Sequence, residues 1–135
     1  LPEAERRFRQ VLQIEPANAD ALNNLAWVLG EQGSPEAQDL ARRAVALRPG
    51  QASFHDTLAM VLARQKQAAP ALEEQRKAVE LDPTSPALQL NLARLALQAG
   101  DARLARAQLD KLSALGKAFP AQAEVWQLRQ QLPPP

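Results

Sequence analysis

The sequence predicts an all-α fold in which antiparallel helix pairs stack along one axis. One observation is compositional: 27 Ala and 22 Leu stand against two Thr and no Tyr in 135 residues, which leaves little β-forming material. The other is a repeat, because Pro16, Pro49 and Pro83 lie 33 and then 34 residues apart. A period of this length predicts a solenoid of helical hairpins within one domain, residues 1–135. Spacings of 33 or 34 also separate three sets of apolar residues: Leu25, Leu58 and Leu92; Ala26, Ala59 and Ala93; Ala37, Ala71 and Ala105.

The segment 1–16 predicts a single helix, in register with the second helix of each later hairpin. No first helix precedes it here, so Phe8, Val11 and Leu12 are expected to lack a partner on one side. An uncovered apolar face of this kind favours self-association. Because a repeat array does not normally stop at half a unit, we expect the chain to continue upstream as part of a longer protein.

Three segments each predict one helical hairpin: hairpin one covers 19–49, hairpin two 52–83 and hairpin three 86–118. Within each hairpin we call the first helix A and the second helix B. In hairpin one the apolar residues step i, i+3, i+4, i+7 along one face of each helix. They are Leu22, Leu25, Ala26 and Leu29 in helix A, then Ala37, Leu40, Ala41 and Ala44 in helix B.

The turn inside hairpin one reads as a break between helices. Gly33 can take the left-handed conformation that ends a helix, Ser34 can cap the next one, and Pro35 suits the first helical position. A phosphate-binding loop would need more glycines and a preceding strand. Gly100 is expected to end a helix in the same way in hairpin three, whereas the turn of hairpin two, within 64–70, has no glycine.

The period breaks after Leu115, and the segment 119–132 predicts one more helix. Val125, Leu128 and Leu132 step i, i+3, i+7 along it. A repeat array needs a terminal element that covers its last apolar face, so we expect this helix to cap hairpin three, with 133–135 as a tail.

A unit of about 34 residues with two helices, small residues where they cross and a closing proline resembles the tetratricopeptide repeat. The pattern covers nearly the whole chain and departs from the family at three positions and in the turn of hairpin one, which is one residue short. His55 and Gln89 stand where a large apolar residue is usual, and Gln75 stands where an aromatic residue is usual. The resemblance implies a right-handed superhelix that is not an enzyme, needs no cofactor and binds a peptide or helix from another protein in a concave groove lined by the A helices.

Register with the family assigns groove positions to each helix A. Trp27, Met60 and Arg94 occupy the same position in successive hairpins, so we expect them to form a stripe. Such a stripe predicts a ligand with an apolar and an acidic group roughly 20 Å apart. The family's carboxylate clamp would need lysines that are missing here. The groove residues implied are Asn23, Asn24, Trp27, Asp56, Thr57, Met60, Arg64, Asn91 and Arg94, together with Asp20, Glu31, Leu90 and Gln98.

Composition bears on the other classes of function. An RNA-binding helical repeat is an alternative function for this fold. A net charge of +1 and acidic groove positions argue against it. His55 is the only histidine, no motif places a nucleophile beside it, and cysteine is absent, so neither catalysis nor a metal site is expected. We interpret His55 as a buried, hydrogen-bonded structural residue facing helix B of its own hairpin. No apolar run reaches the length of a membrane span.

Two short strings, "NNLAW" at 23–27 and "HDTLAMVLARQ" at 55–65, are similar to bacterial tetratricopeptide proteins linked to exopolysaccharide or exosortase (PEP-CTERM) export. That similarity implies a place at the cell envelope, while the residues alone leave cytoplasm and periplasm open. A structural or oligomerisation segment of a longer repeat array is the alternative to a peptide-binding scaffold.

Overall fold

The computed structural model describes residues 2–134, which form helices and no strand. The helices form a superhelical array in which each contacts its neighbours along the chain. In chain order they are α1 (Pro2–Ile14), α2 (Ala19–Glu31), α3 (Glu36–Leu47), α4 (Ala52–Arg64), α5 (Ala68–Leu81), α6 (Pro86–Gln98), α7 (Ala102–Ala114) and α8 (Gln122–Arg129). The pairs α2/α3, α4/α5 and α6/α7 correspond to hairpins one, two and three. None of the described helices is long and apolar enough to cross a membrane.

Small residues sit where the two helices of each hairpin cross. In hairpin two, Ala59 on α4 and Ala71 on α5 are both fully buried. Close approach of two helix backbones leaves no room for a larger side chain at such a crossing. The same holds for the equivalent pairs in hairpins one and three, which are Ala26 with Ala37 and Ala93 with Ala105.

The turns inside the hairpins share one backbone conformation. Gly33 has φ 72° and Gly100 has φ 81°, the left-handed values that the sequence predicted for them. In hairpin two, Lys66 takes the same conformation with φ 63° and is not a glycine. A side chain in this region is strained, because its Cβ crowds the backbone. The repeat therefore imposes its turn on a residue that does not favour it.

Two polar residues, one near the start of α4 and one near the start of α6, serve the loops between hairpins. His55 Nε2 lies 2.7 Å from the carbonyl oxygen of Pro49, and Gln89 Nε2 donates to that of Pro83 over the same distance. Each bond spans six residues back to the closing proline of the preceding unit. The two departures from the family pattern thus perform one task, which is to satisfy an inter-repeat carbonyl.

His55 is a structural residue, as the sequence predicted. Its ring is buried, and Nδ1 lies 2.8 Å from Glu74 Oε2 on α5, helix B of its own hairpin. Both ring nitrogens therefore face oxygen atoms, one of a carboxylate and one of a backbone carbonyl. Burial raises the pKa of the Glu74 carboxyl, but hydrogen bonds from His55 and Lys77 outweigh this effect and hold that pKa below its usual range.

The first helix packs on one side against the rest of the array. Phe8 and Leu12 lie against the main core cluster, and α1 contacts α2, the first helix of hairpin one. No residue of α1 is buried: Val11 is 36% exposed and Ile14 is 83% exposed. Self-association through the open face of α1 stays a prediction.

The last helix begins later and ends earlier than the expected 119–132. A short 3-10 helix, Gly116–Ala118, comes first, and Phe119 is extended with φ −119° and ψ 107°. The residue before a proline avoids the helical region, so Pro120 delays the start of α8. Val125 and Leu128 on α8 are nevertheless buried with Leu109 and Leu112 of α7 in a second core cluster.

Candidate functional site

The A helices are unevenly spaced along the concave face. α2 packs directly on α4, because Gly30 has no side chain: a Cβ there would lie 2.9 Å from Val61 Cγ2. Within residues 2–134, α4 and α6 make no comparable backbone approach. The equivalent of Gly30 in α4 is Ala63, which lines the opening between these helices. The wider gap lets Gln75, a fully buried residue of α5, line the bottom of the concave face.

The resulting concave groove has a volume of about 410 Å³. Seven of the nine predicted groove residues line it, and Gln98 joins them. The lining residues are Trp27, Asp56, Thr57, Met60, Ala63, Arg64, Gln75, Asn91, Arg94, Leu95 and Gln98. The stripe expected from register, Trp27, Met60 and Arg94, therefore runs through a single groove.

Trp27 and Met60 form the apolar part of the groove. Trp27 is 47% exposed, far more than the buried residues beside it in α2, Leu25, Ala26 and Val28. Met60 is half-buried and reaches back to Gly30 of α2. An indole ring left half open beside a flexible thioether offers contact area to a ligand without a large conformational cost.

The floor of the groove is a polar network centred on Asp56. Its Oδ1 accepts hydrogen bonds from Gln75 Nε2 at 2.9 Å and Asn91 Nδ2 at 3.0 Å. Gln75 also donates to the carbonyl oxygen of Leu88 at 3.1 Å. One carboxylate oxygen thus joins α4, α5 and α6. Gln75 is 0% exposed, and its Oε1 has no hydrogen-bond partner among the described residues.

Both groove arginines already have carboxylate partners. Arg64 donates to both oxygens of Glu31 on the neighbouring A helix, at 3.0 and 3.1 Å. Arg94 pairs with Glu124 of α8 and donates to Asn91. Burial lowers the pKa of the Arg94 guanidinium, and the nearby Asp56 carboxylate opposes that shift.

The pairing of Arg94 bears on the ligand expected from the stripe. The sequence predicted a ligand whose acidic group lies at the cationic end of the stripe, Arg94, and this stays a prediction. Glu124 already occupies that position, because α8 packs beside α6 and directs a carboxylate toward it. An acidic group in the groove would have to displace this partner.

Several other predicted positions lie outside the groove or contribute little to it. Asn24 is exposed, while Asn23 is half-buried and its Oδ1 has no hydrogen-bond partner within residues 2–134; neither lines the groove. The Thr57 hydroxyl donates to the carbonyl of Ser53 in its own helix, at 3.1 Å. Leu90 is not a groove residue, because it is buried in the second core cluster.

Sequence reasoning missed Gln75 as a groove residue. The family pattern places this position inside the hairpin, between helices A and B, so its access to the concave face could not be expected. The available signal was chemical: a glutamine stood where an aromatic residue is usual. A buried amide needs partners, which predicts polar neighbours on the facing helices.

Comparison with known sequences agrees with this architecture. A family profile described as tetratricopeptide repeat matches residues 8–38. The helical hairpins of this chain are tetratricopeptide repeats. The chain is 31% identical over 121 residues to cellulose synthase operon protein C of Pseudomonas fluorescens (strain SBW25), an alignment that covers 82% of the chain and 9% of that protein. The chain therefore spans a small part of this relative's length.

Solved tetratricopeptide structures superimpose closely on the chain. An O-GlcNAc transferase from Thermobaculum terrenum matches with a TM-score of 0.77 and 34% identity over 82% of the chain and 22% of its own. Pseudomonas aeruginosa PilF matches with a TM-score of 0.75 and 27% identity, over 90% of this chain and 56% of PilF. MamA of Desulfovibrio magneticus RS-1 shares the fold, with a TM-score of 0.78 and 23% identity. That match covers 87% of this chain and 67% of MamA. Tetratricopeptide repeats generally act as non-catalytic scaffolds for protein partners.

Proposed function

We propose that this chain is a non-catalytic scaffold segment that binds a peptide or helix of a partner protein in the concave groove. The observation that supports it best is the combination of a half-exposed Trp27 with a buried polar floor in one continuous opening. Tryptophan is among the side chains on which binding energy concentrates at interfaces. The polar floor supplies fixed hydrogen-bonding groups, which favour one ligand orientation.

The setting that we propose is bacterial envelope polysaccharide export. Support comes from the relative's name, which places that protein in a cellulose synthase operon, and from the sequence strings at 23–27 and 55–65. In this setting the segment would hold another component of the export machinery at a defined place in a longer array.

Site-specific photo-crosslinking in cells that produce the protein natively tests both parts. A photoreactive residue replaces Gln98 of α6, which lines the groove. As a control, the same residue replaces Glu80, which is exposed on α5 and does not line the groove. We expect a protein adduct from position 98 and none from position 80. The identity of the captured protein, a polysaccharide-export component or another class, decides the setting.

The two tryptophans provide a matched pair of variants. Trp27→Ala should abolish the adduct, whereas Trp126→Ala on α8, which is 62% exposed and outside the groove, should leave it intact. The melting temperature of each variant separates lost binding from lost folding. Equal adducts from positions 98 and 80, or an adduct that survives Trp27→Ala, would refute binding in the groove.

A further inference from the structure

Asp56 is the groove carboxylate that forms no salt bridge, although Arg94 lies close enough to feel its charge. Among the described residues no ion pair within 4.0 Å includes it, whereas Arg64 and Arg94 are paired with Glu31 and Glu124. Its two hydrogen bonds come from neutral amides and end on the same oxygen, Oδ1. Counted with the arginines' partners Glu31 and Glu124, which lie beside the groove lining, these five charged groups sum to −1.

A second acceptor without a donor lies beside Asp56. Gln75 Oε1 is buried and unpaired, although Gln75 lines the groove. Its amide cannot turn to solve this, because Nε2 is held by Asp56 and by the carbonyl of Leu88. A buried acceptor that lacks a hydrogen bond costs free energy, so a ligand that brings donors to this floor is favoured.

The neighbouring apolar side chains suit the stem of a long basic residue. Lysine and arginine bury their methylene chains along apolar surface while the charged end reaches polar groups. Met60 follows Asp56 by one helical turn on α4, and the Trp27 ring faces the same opening from α2. A cation near an indole face gains further attraction from the ring.

We propose that the concave groove selects a peptide with a lysine or arginine side chain, which binds Asp56 and Gln75 on the floor, next to an apolar residue that packs on Trp27 and Met60. This inference rests on the proposed function and names the chemistry of its ligand. An acidic ligand is disfavoured, because it would meet Asp56 and would have to displace Glu124 from Arg94.

The test is a selection of random dodecapeptides displayed on phage against the whole chain. We expect the selected peptides to be enriched in lysine or arginine beside a large apolar residue. The best peptide is then synthesised with its basic residue intact and with that residue replaced by glutamine. Each version is titrated into the wild-type protein and into Asp56→Asn, and binding is followed by calorimetry.

The substitution of Asp56 by asparagine is chosen because it removes the charge but keeps Oδ1 as an acceptor for Gln75 and Asn91. We expect roughly a tenfold or greater loss of affinity, as a hydrogen bond to a charged group implies. On the wild-type protein, the glutamine peptide should bind more weakly than the basic peptide by a similar factor. On Asp56→Asn, the two peptides should bind with nearly equal affinity, because the interaction is already lost. Asp39→Asn, a carboxylate 77% exposed on α3, serves as control and should bind as the wild type does.

Two outcomes separate this inference from the proposed function. If selected peptides lack basic residues, or if the glutamine peptide binds the wild-type protein unchanged, the basic ligand is refuted, while loss of binding in Trp27→Ala would still uphold the groove. If no peptide depends on Trp27, the groove function fails and this inference fails with it. The glutamine peptide needs no protein variant, so it decides the question even if Asp56→Asn does not fold.

Discussion

Replacement of His55 by leucine, the residue that α2 carries at the equivalent position 22, should destabilise the chain although leucine is the more apolar side chain. The substitution removes two buried contacts of 2.7 and 2.8 Å, to the Pro49 carbonyl and to the Glu74 carboxylate. A hydrogen bond to a charged group contributes about 1.5–3 kcal/mol and a neutral one about 0.5–1.5 kcal/mol. We therefore expect the free energy of unfolding to fall by roughly 2–4 kcal/mol.

His55→Gln is the matched variant, because α6 already carries glutamine at this position. There Gln89 donates to the Pro83 carbonyl at 2.7 Å, so a glutamine at 55 should keep the equivalent bond to Pro49 and lose only the contact with Glu74. Its loss should be smaller than that of His55→Leu by about 1 kcal/mol. Urea unfolding followed by circular dichroism at neutral pH measures both. The reasoning is refuted if His55→Leu is as stable as the wild type, or if His55→Gln is the less stable variant.

Four further predictions concern stability. The lowered pKa of Glu74 means that its ionised form stabilises the fold above the ordinary carboxyl pKa of about 4.3, and that this contribution is lost as the pH falls through the lower, folded-state pKa. Denaturant titrations at several acid pH values should show a flatter dependence for Glu74→Gln. Lys66→Gly should raise the free energy of unfolding by about 1 kcal/mol, since φ is 63° there, and an unchanged urea midpoint would contradict this. Ala71→Leu should cost about 1–3 kcal/mol by overpacking the crossing in hairpin two; a neutral effect on the denaturant midpoint would mean that the helix register is misassigned. Deletion of 119–135 should expose Leu109 and Leu112 and cost several kcal/mol, on the order of the whole stability, so a truncated chain that melts with the parent would exclude a capping role.

The parts of the fold that follow from local rules could be predicted from the sequence. Fully buried Ala59 follows from the close crossing of two helices, and the left-handed Gly33 follows from the need to end a helix. The position of Trp27 on the concave face follows from the repeat register. Each of these statements depends on spacing along the chain alone.

The parts that depend on distances between repeats could not be predicted. The separation of α4 and α6, which opens the floor at Gln75, reflects how whole hairpins pack. The partner of Arg94 lies on α8, beyond the point where the 34-residue period breaks, so no register argument could place Glu124 beside it. The left-handed Lys66 shows the opposite case, in which packing overrides a residue's own preference.

The position of Asp56 at the junction of three helices restricts how the groove can diversify. Its Oδ1 holds Gln75 of α5 and Asn91 of α6, so the atoms that would contact a ligand also fix hairpin two against hairpin three. A change on the floor would alter recognition and the pitch of the superhelix together. Trp27, the half-exposed apolar residue of the groove, takes no part in this network, so new ligand preferences can evolve there with less effect on the scaffold.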